Sequence, residues 1–429
     1  MSTAGRTTAT DGAPQPVTLA PLSGPGQQPW NRQRLRSNNE WLLLERLRCH
    51  GPLSRAQLAR DTGLSKPTVS TALATLELAG LAREAGRFAP ERGRTAVLYE
   101  TDPAAGHVLG LDIGRARLRV AVADLSGCVV ARRDLPNRGR SANAVADAVV
   151  AAAREALAEA GLPGTAVAHT VAGTPGVWDE RRRSVRLAAS LPGWGRPGLF
   201  DRIADGLGTT VTVANDANLA AVGEYTYGAG AGSRLFVYLL VGTGLGLGVV
   251  KDGELLTGAH GAAGELGLLR LPGCASATAT ATATTGTGAG TGTGTTLEET
   301  VSADAVVRTA LDLGMRRPLS AEKVFTRARL GEPAAVEAVR QEVDRLGYVL
   351  AVVAALLDPD VVVLGGGIGR SADLLLRPLE QALYERSPLR PRLEPSRLGQ
   401  DAVLLGAVAT ALEAARPEVF ERRTAPVPG

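Results

Sequence analysis

The chain has 429 residues, which is too long for one compact core and fits two or three domains. Hydrophobic residues make up 45% of it, but no run of about 18 apolar residues occurs, which argues against a membrane-spanning helix. The net charge of +4 is small, and the three distant cysteines argue against a disulfide framework and for a reducing compartment.

The chain starts with a segment that predicts disorder. Thr, Ala, Gly, Pro and Gln dominate residues 1–29 without periodicity, so we expect a disordered tail over residues 1–36. No charged start followed by an apolar run is present, which argues against a signal peptide and for a cytoplasmic location.

Residues 37–104 are predicted to form a winged helix-turn-helix. Ser54 and Gln57 have the spacing of a capping box, Gly63 lies where a tight turn needs a positive φ, and Ser65 can cap a second helix. Two strand-like runs, residues 81–84 and 95–99, flank a tip rich in Gly, Arg and Pro. Two short helices joined by a Gly-containing turn, followed by such a hairpin, are typical of this DNA-binding motif.

This N-terminal module is also the basic part of the chain. Between residues 30 and 100, twelve Lys and Arg stand against seven Asp and Glu, and the remainder is close to neutral. Small hydroxyls and one Lys at a helix start suit phosphates and base edges, so we expect a double-stranded DNA operator as partner. The alternative is a helical protein-interaction module. The predicted DNA-binding residues are Ser65, Lys66, Thr68, Val69, Ser70, Arg87, Arg92 and Arg94.

From residue 107 onward, strand-like and helix-like runs alternate, which predicts an α/β body. Gly-rich turns follow three apolar runs, at Asp112-Ile-Gly114, at residues 242–248 and at residues 364–367. Such turns let backbone N–H groups approach phosphates. Residues 274–296 are almost wholly Ala, Thr and Gly, which predicts a disordered loop.

The order of the motifs resembles that of the ROK (repressor, open reading frame, kinase) family over roughly residues 38–415. The motifs are Leu-Asp-Ile-Gly (111–114), Gly-Thr-Pro-Gly (173–176), Leu-Pro-Gly-Trp (191–194), Asn-Asp-Ala-Asn (215–218), Gly-Thr-Gly (242–244), Gly-Ala-Ala-Gly-Glu-Leu-Gly (261–267) and Leu-Gly-Gly-Gly (364–367). The resemblance implies an actin-like (ribonuclease H-like) two-lobed sugar-kinase fold after the winged-helix domain. Lobe I would span residues 105–214 with a C-terminal helix over 405–416, and lobe II would span residues 215–404 with the loop 274–296.

The resemblance also implies a sugar bound between the lobes, with nucleotide across from it in kinase members. Asp216 matches the family's general base, which is catalytic only where kinase activity is retained. The implied sugar-binding residues are Gly176, Ser190, Asn215, Asp216 and Glu265. The implied nucleotide-binding residues are Asp112, Gly114, Gly242, Thr243, Gly244, Gly365, Gly366 and Gly367.

Three departures from the family pattern bear on function. Arg115-Ala116-Arg117 stands where the first phosphate loop has Gly-Thr-Lys, and Ser190 replaces an Asn. Leu268 replaces the zinc-binding His, and the cysteine motif is reduced to Cys274-Ala-Ser276. One thiolate cannot hold tetrahedral zinc, so we expect no metal cofactor, while the use of ATP and Mg²⁺ stays open.

Three hypotheses follow. The first is a sugar-responsive repressor of carbohydrate-related genes, acting as a homodimer or homotetramer on an operator, with a sugar or sugar phosphate as effector. The second is an ATP-dependent, glucokinase-like sugar kinase, against which the altered first phosphate loop argues. The third is a regulator whose sugar pocket is degenerate and which is controlled by another protein.

Overall fold

The computed structural model describes residues 32–89, 95–188, 191–275 and 294–425. Most of the predicted tail, the wing residues Arg92 and Arg94, the sugar-site residue Ser190 and most of the predicted loop 274–296 therefore lie outside the described residues. The first helix begins at Arg32, so residues 32–36 are helical and do not belong to the tail.

The N-terminal head is a winged helix-turn-helix, as predicted. Its elements are α1 (Arg32–His50), β1 (Leu53–Ser54), α2 (Arg55–Thr62), α3 (Lys66–Leu78), β2 (Ala82–Phe88) and β3 (Ala96–Thr101). The capping box of Ser54 and Gln57 is present at the start of α2, and Gly63 ends that helix with a φ of 71°. Ser65 caps α3 by accepting a hydrogen bond from the Thr68 amide. The three strands form an antiparallel sheet in the order β1-β3-β2.

The first lobe is built on a five-stranded sheet in the order β10-β7-β4-β5-β6. Strands β4, β7 and β10 are parallel, and β5 and β6 form antiparallel hairpins beside them. The elements of this part are β4 (His107–Ile113), β5 (Arg117–Asp124), β6 (Val129–Pro136), α4 (Ala142–Glu159), β7 (Val167–Thr174), β8 (Val177–Asp179), β9 (Ser184–Arg186), α5 (Leu199–Leu207), β10 (Val211–Asn215) and α6 (Asp216–Tyr227).

The second lobe repeats this arrangement with the order β13-β12-β11-β16-β17, in which β11, β16 and β17 are parallel. The elements of this part are β11 (Leu235–Val241), β12 (Leu245–Lys251), β13 (Glu254–Leu255), β14 (Arg270–Ala275), β15 (Gly294–Thr296), α7 (Leu297–Val301), α8 (Ala303–Asp312), α9 (Ala321–Arg329), α10 (Pro333–Leu357), β16 (Val361–Gly365), α11 (Gly366–Gly369), α12 (Ala372–Arg386) and β17 (Arg392–Pro395). Two sheets of the same topology are the actin-like fold that the motif order implied.

The last helix, α13 (Ala402–Thr424), returns to the first lobe and packs against β4, β7 and α6. It is longer than the predicted helix over 405–416, because it continues through Pro417 into the head. There Val419 and Phe420 are buried with the apolar residues of α1 and α3. Of the helices in the described ranges, none is long and apolar enough to cross a bilayer.

Candidate functional site

A cleft of about 480 Å³ lies between the two sheets, where the Gly-rich turns of both lobes face each other. The first lobe contributes the β4–β5 turn and the start of α6, and the second contributes the β11–β12 turn and α11. The predicted site residues that line this cleft are Asp112, Gly114, Gly176, Asn215, Asp216, Gly242, Thr243, Gly244, Glu265, Gly366 and Gly367.

One described residue of the predicted sugar and nucleotide sites, Gly365, is not among those that line the cleft. Gly365 is buried as the last residue of β16, and the Tyr238 side chain fills the space where a Cβ on Gly365 would stand. The absence of a side chain at Gly365 therefore lets Tyr238 pack within the second lobe. Ser190 is outside the described residues.

Asn215 and Asp216 are held at the cleft by the start of α6. Asn215 is the N-cap of this helix; its side chain accepts a hydrogen bond from the Asn218 amide at 3.1 Å and donates one to the Gly176 carbonyl at 3.1 Å. The Asp216 carboxylate accepts from the Ala217 amide at 2.8 Å. Burial, together with the charges of Asp112 and Glu265, raises the pKa of Asp216 to about 7. The group can therefore accept or release a proton near neutral pH.

Two further carboxylates stand on the second-lobe side of the cleft. Burial and the neighbouring Glu298 raise the pKa of Glu265. Glu298 accepts a hydrogen bond from the Leu245 amide at 3.1 Å and lies against Gly244, where a Cβ would come within 2.7 Å of its Oε2. Glu298 was not predicted as a site residue. In the resembled family the cysteine motif ends in Cys-x-Glu, and the position of that Cys falls near Thr296, just before Leu297-Glu298; this match was the signal for Glu298.

The Asp112 carboxylate, whose charge acts on Asp216, is paired with an arginine. Arg119 Nη1 lies 2.7 Å from Asp112 Oδ2, and Arg119 Nη2 donates to the Gln400 side chain at 3.0 Å. Both ionic side chains are largely buried, with 12% and 7% of their surface exposed. Burial raises the pKa of Asp112, and the Arg119 charge opposes that rise. Arg119 was not predicted as a site residue either.

The turn between β4 and β5 carries a second arginine toward the opposite lobe. Arg115 Nη1 lies 4.0 Å from Asp304 Oδ2 at the start of α8, and both side chains are more than half exposed. The turn therefore presents a long cationic side chain where backbone donors would have to approach a phosphate.

These observations test whether a nucleotide-bound metal fits the cleft at Asp112. A divalent cation needs free carboxylate oxygens, but the Asp112 carboxylate is paired with the Arg119 guanidinium. The residues present therefore do not fit Mg²⁺ at Asp112. Elsewhere in the described ranges, no group of three or more His, Cys, Asp or Glu side chains could hold a metal ion. The zinc prediction itself stays a prediction, since Ser276 is not described.

The second candidate surface is the exposed side of α3 in the head. Ser65, Lys66 and Ser70 are exposed, and Thr68 is partly exposed.

Val69 was predicted to contact DNA, and this prediction is wrong. Its side chain is fully buried in the head's core, because it lies on the same helix face as Leu73 and Leu76. Thr71 is exposed and was missed. Arg87 is exposed on β2, and Arg92 and Arg94 lie outside the described residues.

Comparisons with known proteins match both parts of the chain. The ROK family model matches residues 108–414, and the MarR family model matches residues 37–83. The xylose repressor of Bacillus subtilis (strain 168) is 25% identical over 381 residues, which cover 86% of this chain and 93% of that protein.

Two solved structures resemble the chain to different extents. A ROK family transcriptional regulator, a homologue of the E. coli MLC protein, has a TM-score of 0.70 at 24% identity and covers 91% of this chain and 99% of its own. A ROK family glucokinase from Streptomyces griseus, in complex with glucose and AMPPNP, has a TM-score of 0.60 at 28% identity. It covers 73% of this chain and 100% of its own.

Proposed function

The chain belongs to the ROK family, and from this premise we propose that it is a DNA-binding transcriptional repressor that responds to a sugar or sugar phosphate. The observation that carries the proposal is the joining of two surfaces in one chain. An exposed, capped recognition helix stands in the head, and a cleft with Asn215, Asp216 and Glu265 lies in the body. The relatives that also extend over the head include a xylose repressor and a ROK transcriptional regulator.

The recognition surface suits the major groove of double-stranded DNA. The start of α3 presents Lys66 with the hydroxyls of Ser65 and Ser70, and these groups can reach phosphates and base edges. A dimer of the chain would place two such helices on the two halves of a palindromic operator. Homodimer or homotetramer assembly and a cytoplasmic location are part of this proposal.

The effector site would use the second-lobe side of the cleft and the start of α6. Carboxylates and amides are the groups that hydrogen-bond sugar hydroxyls, and Asp216, Glu265 and Asn215 all line the same cavity. A regulator of carbohydrate-related genes needs to bind the sugar but does not need to phosphorylate it. The glucokinase-like alternative keeps Asp216 as a candidate base, but it would have to work with the Asp112 carboxylate already paired with Arg119.

The test selects duplexes from a random pool with the full-length protein and measures their affinity with and without each sugar and sugar phosphate of a panel. We expect one enriched palindromic sequence, and we expect a sugar or sugar phosphate to change its affinity by about 5- to 150-fold. Lys66→Ala should weaken binding about tenfold, while Lys251→Ala, an exposed lysine in the second lobe, should not. No enriched sequence, or equal effects of the two lysine variants, would refute the proposal.

A further inference from the structure

Helix α13 spans the distance between the cleft and the head. Its 23 residues cover roughly 34 Å at about 1.5 Å per residue. Val403 in its first turn lines the cleft, as do Gly399 and Gln400 in the turn directly before it. Val419 and Phe420 near its end are buried in the core of the head. One continuous element therefore touches both candidate sites.

The start of α13 is fixed to the strands that form the cleft wall. Gln400 accepts a hydrogen bond from Arg119 on β5, the arginine that holds Asp112. Asp401 accepts two hydrogen bonds from Arg132 on β6, at 2.8 and 2.5 Å. A change in the position of Asp112 or Arg119 would therefore act directly on this end of the helix.

The helix that carries Asp216 also crosses α13 at close range. A Cβ on Gly223 of α6 would lie 2.3 Å from the Ala402 carbonyl oxygen, and a Cβ on Gly406 of α13 would collide with the Leu219 carbonyl. At this crossing the backbones of α6 and α13 are in direct contact, so no side chain between them can change rotamer to accommodate a shift. A displacement of α6 by a ligand on Asp216 would therefore be passed to α13.

Pro417 divides α13 into two parts. Residues 404–415 pack within the first lobe, and Val419 and Phe420 pack within the head. Proline lacks the N–H that would continue the helical ladder, so the helix is weakest at this point. Just before it, Arg416 Nε donates to the Leu125 carbonyl at 3.0 Å and anchors the first part to the lobe.

The second part of α13 holds the recognition helix by its C-terminus. Phe420 packs edge-on against Trp41 with ring centroids 5.1 Å apart. Arg423 Nη1 lies 3.1 Å from the carbonyl oxygen of Ala79, the C-cap of α3, and 3.3 Å from that of Gly80. A cation that donates to the last carbonyls of a helix satisfies them and complements the helix dipole. Arg423 therefore fixes α3 relative to α13.

We propose that α13 transmits the state of the cleft to the DNA-binding surface, with Arg423 as the positioning residue for the recognition helix. The proposal rests on the proposed function for the identity of the two ligands, but the contact it depends on belongs to the chain itself. Arg422 provides a matched control, because it is exposed on the same helical turn and has no hydrogen bond or ion pair within the described residues.

The first experiment measures hydrogen exchange in the full-length protein without ligands. Arg423→Ala should speed the exchange of amides at the end of α3, around residues 75–80, by about two- to fivefold. Arg422→Ala should leave these amides unchanged. Equal exchange in both variants would mean that Arg423 does not position α3, and this would overturn the proposal without any assumption about DNA or sugar.

The second experiment measures the coupling between the two ligands, with the duplex enriched from the random pool and the panel compound that shifts its affinity most. In the wild type and in Arg422→Ala, this compound should change the affinity for the duplex by the same factor. In Arg423→Ala, the factor should fall toward one, while the affinity for the compound alone stays the same. An unchanged factor in Arg423→Ala overturns the coupling. A wild-type protein that binds neither ligand refutes the proposed function, and the exchange comparison then decides the role of Arg423.

Discussion

Two buried carboxylates that line the same cleft are in opposite states. Asp216 has no cationic partner among the described residues, and burial with the charges of Asp112 and Glu265 raises its pKa to about 7. Asp112 lies 2.7 Å from Arg119 and forms a largely buried ion pair. The same chemical group is thus left without a cation at one position and paired with an arginine of the protein at the other.

From this contrast we expect a protein that binds a sugar without phosphorylating it. The predicted sugar-binding residues Asn215, Asp216 and Glu265 line the cleft, and the start of α6 places the first two. The β4–β5 hairpin places two cations, Arg115 and Arg119, at the predicted nucleotide-binding turn. A bound sugar would therefore meet preorganised acceptors, whereas a nucleotide would have to displace an ion pair.

The largest expected effect is on phosphoryl transfer. Each lost preorganised donor slows an enzyme by roughly 100- to 1,000-fold, so two changes in one turn should lower turnover by about 10⁴-fold or more. A coupled ATP assay with hexoses, pentoses and amino sugars should detect at most trace activity. Turnover of about 1 to 1,000 per second that Asp216→Ala abolishes would erase the contrast and favour the kinase hypothesis.

The next effect concerns the ion pair of Asp112 and Arg119. Arg119→Ala leaves the buried Asp112 carboxylate without its partner, which should lower the free energy of unfolding by about 3 to 5 kcal/mol. Arg117→Ala on the same strand removes an exposed arginine that is paired with Asp134, and should cost less than about 1 kcal/mol. Thermal unfolding of both variants makes the comparison. Equal melting temperatures would show that the Asp112 pair is no more than a surface contact.

A smaller effect is expected at Asp216, a predicted sugar-binding residue. Asp216→Asn removes a charged acceptor and should weaken sugar binding by about 10- to 150-fold, the worth of a hydrogen bond to a charged group of about 1.5 to 3 kcal/mol. Asp304→Asn, an exposed acid at the start of α8, is the control and should leave the affinity unchanged. Calorimetry with the sugar identified in the panel measures both. An undiminished affinity in Asp216→Asn would move the sugar site elsewhere in the cleft.

The smallest effect is a pH dependence of sugar binding. Asp216 has a pKa of about 7 in the free protein, so below that pH it carries a proton that must leave before the carboxylate can accept a hydrogen bond as an anion. Affinity should therefore rise by up to about tenfold per pH unit from about pH 5 to 7 and level off above. Asp216→Asn should remove the slope. A flat profile in the wild type would mean that neutral Asp216 binds the sugar equally well.

Local signals in the sequence predicted the head well. The capping box, the glycine with positive φ and the second N-cap are each decided by residues within four positions of one another, and all three are present. The error at Val69 was avoidable, because its spacing to Leu73 and Leu76 already marked a buried face. The site glycines followed strand ends, which periodicity also reveals.

Contacts between distant segments could not be predicted in this way. Arg119 is the cross-strand partner of Asp112, so its role depends on the register of the β4–β5 hairpin, and its second partner, Gln400, is 281 positions away. The predicted last helix over residues 405–416 stops just before Pro417, a residue type that disfavours a helix interior. Packing of Val419 and Phe420 into the head overrides that preference and carries the helix to Thr424.

The burial of Val419 and Phe420 in the head has a consequence for synthesis of the chain. The head's own strands end at Thr101, whereas the residues that complete its core follow some 320 positions later. At about 5 to 20 residues per second, the ribosome needs roughly 16 to 64 seconds to cover that distance. In the nascent helix-turn-helix, the face around Trp41 therefore remains exposed until the last helix has been synthesised. A product that stops before Val419 would contain every residue of the recognition helix and still lack the side chains that finish its core.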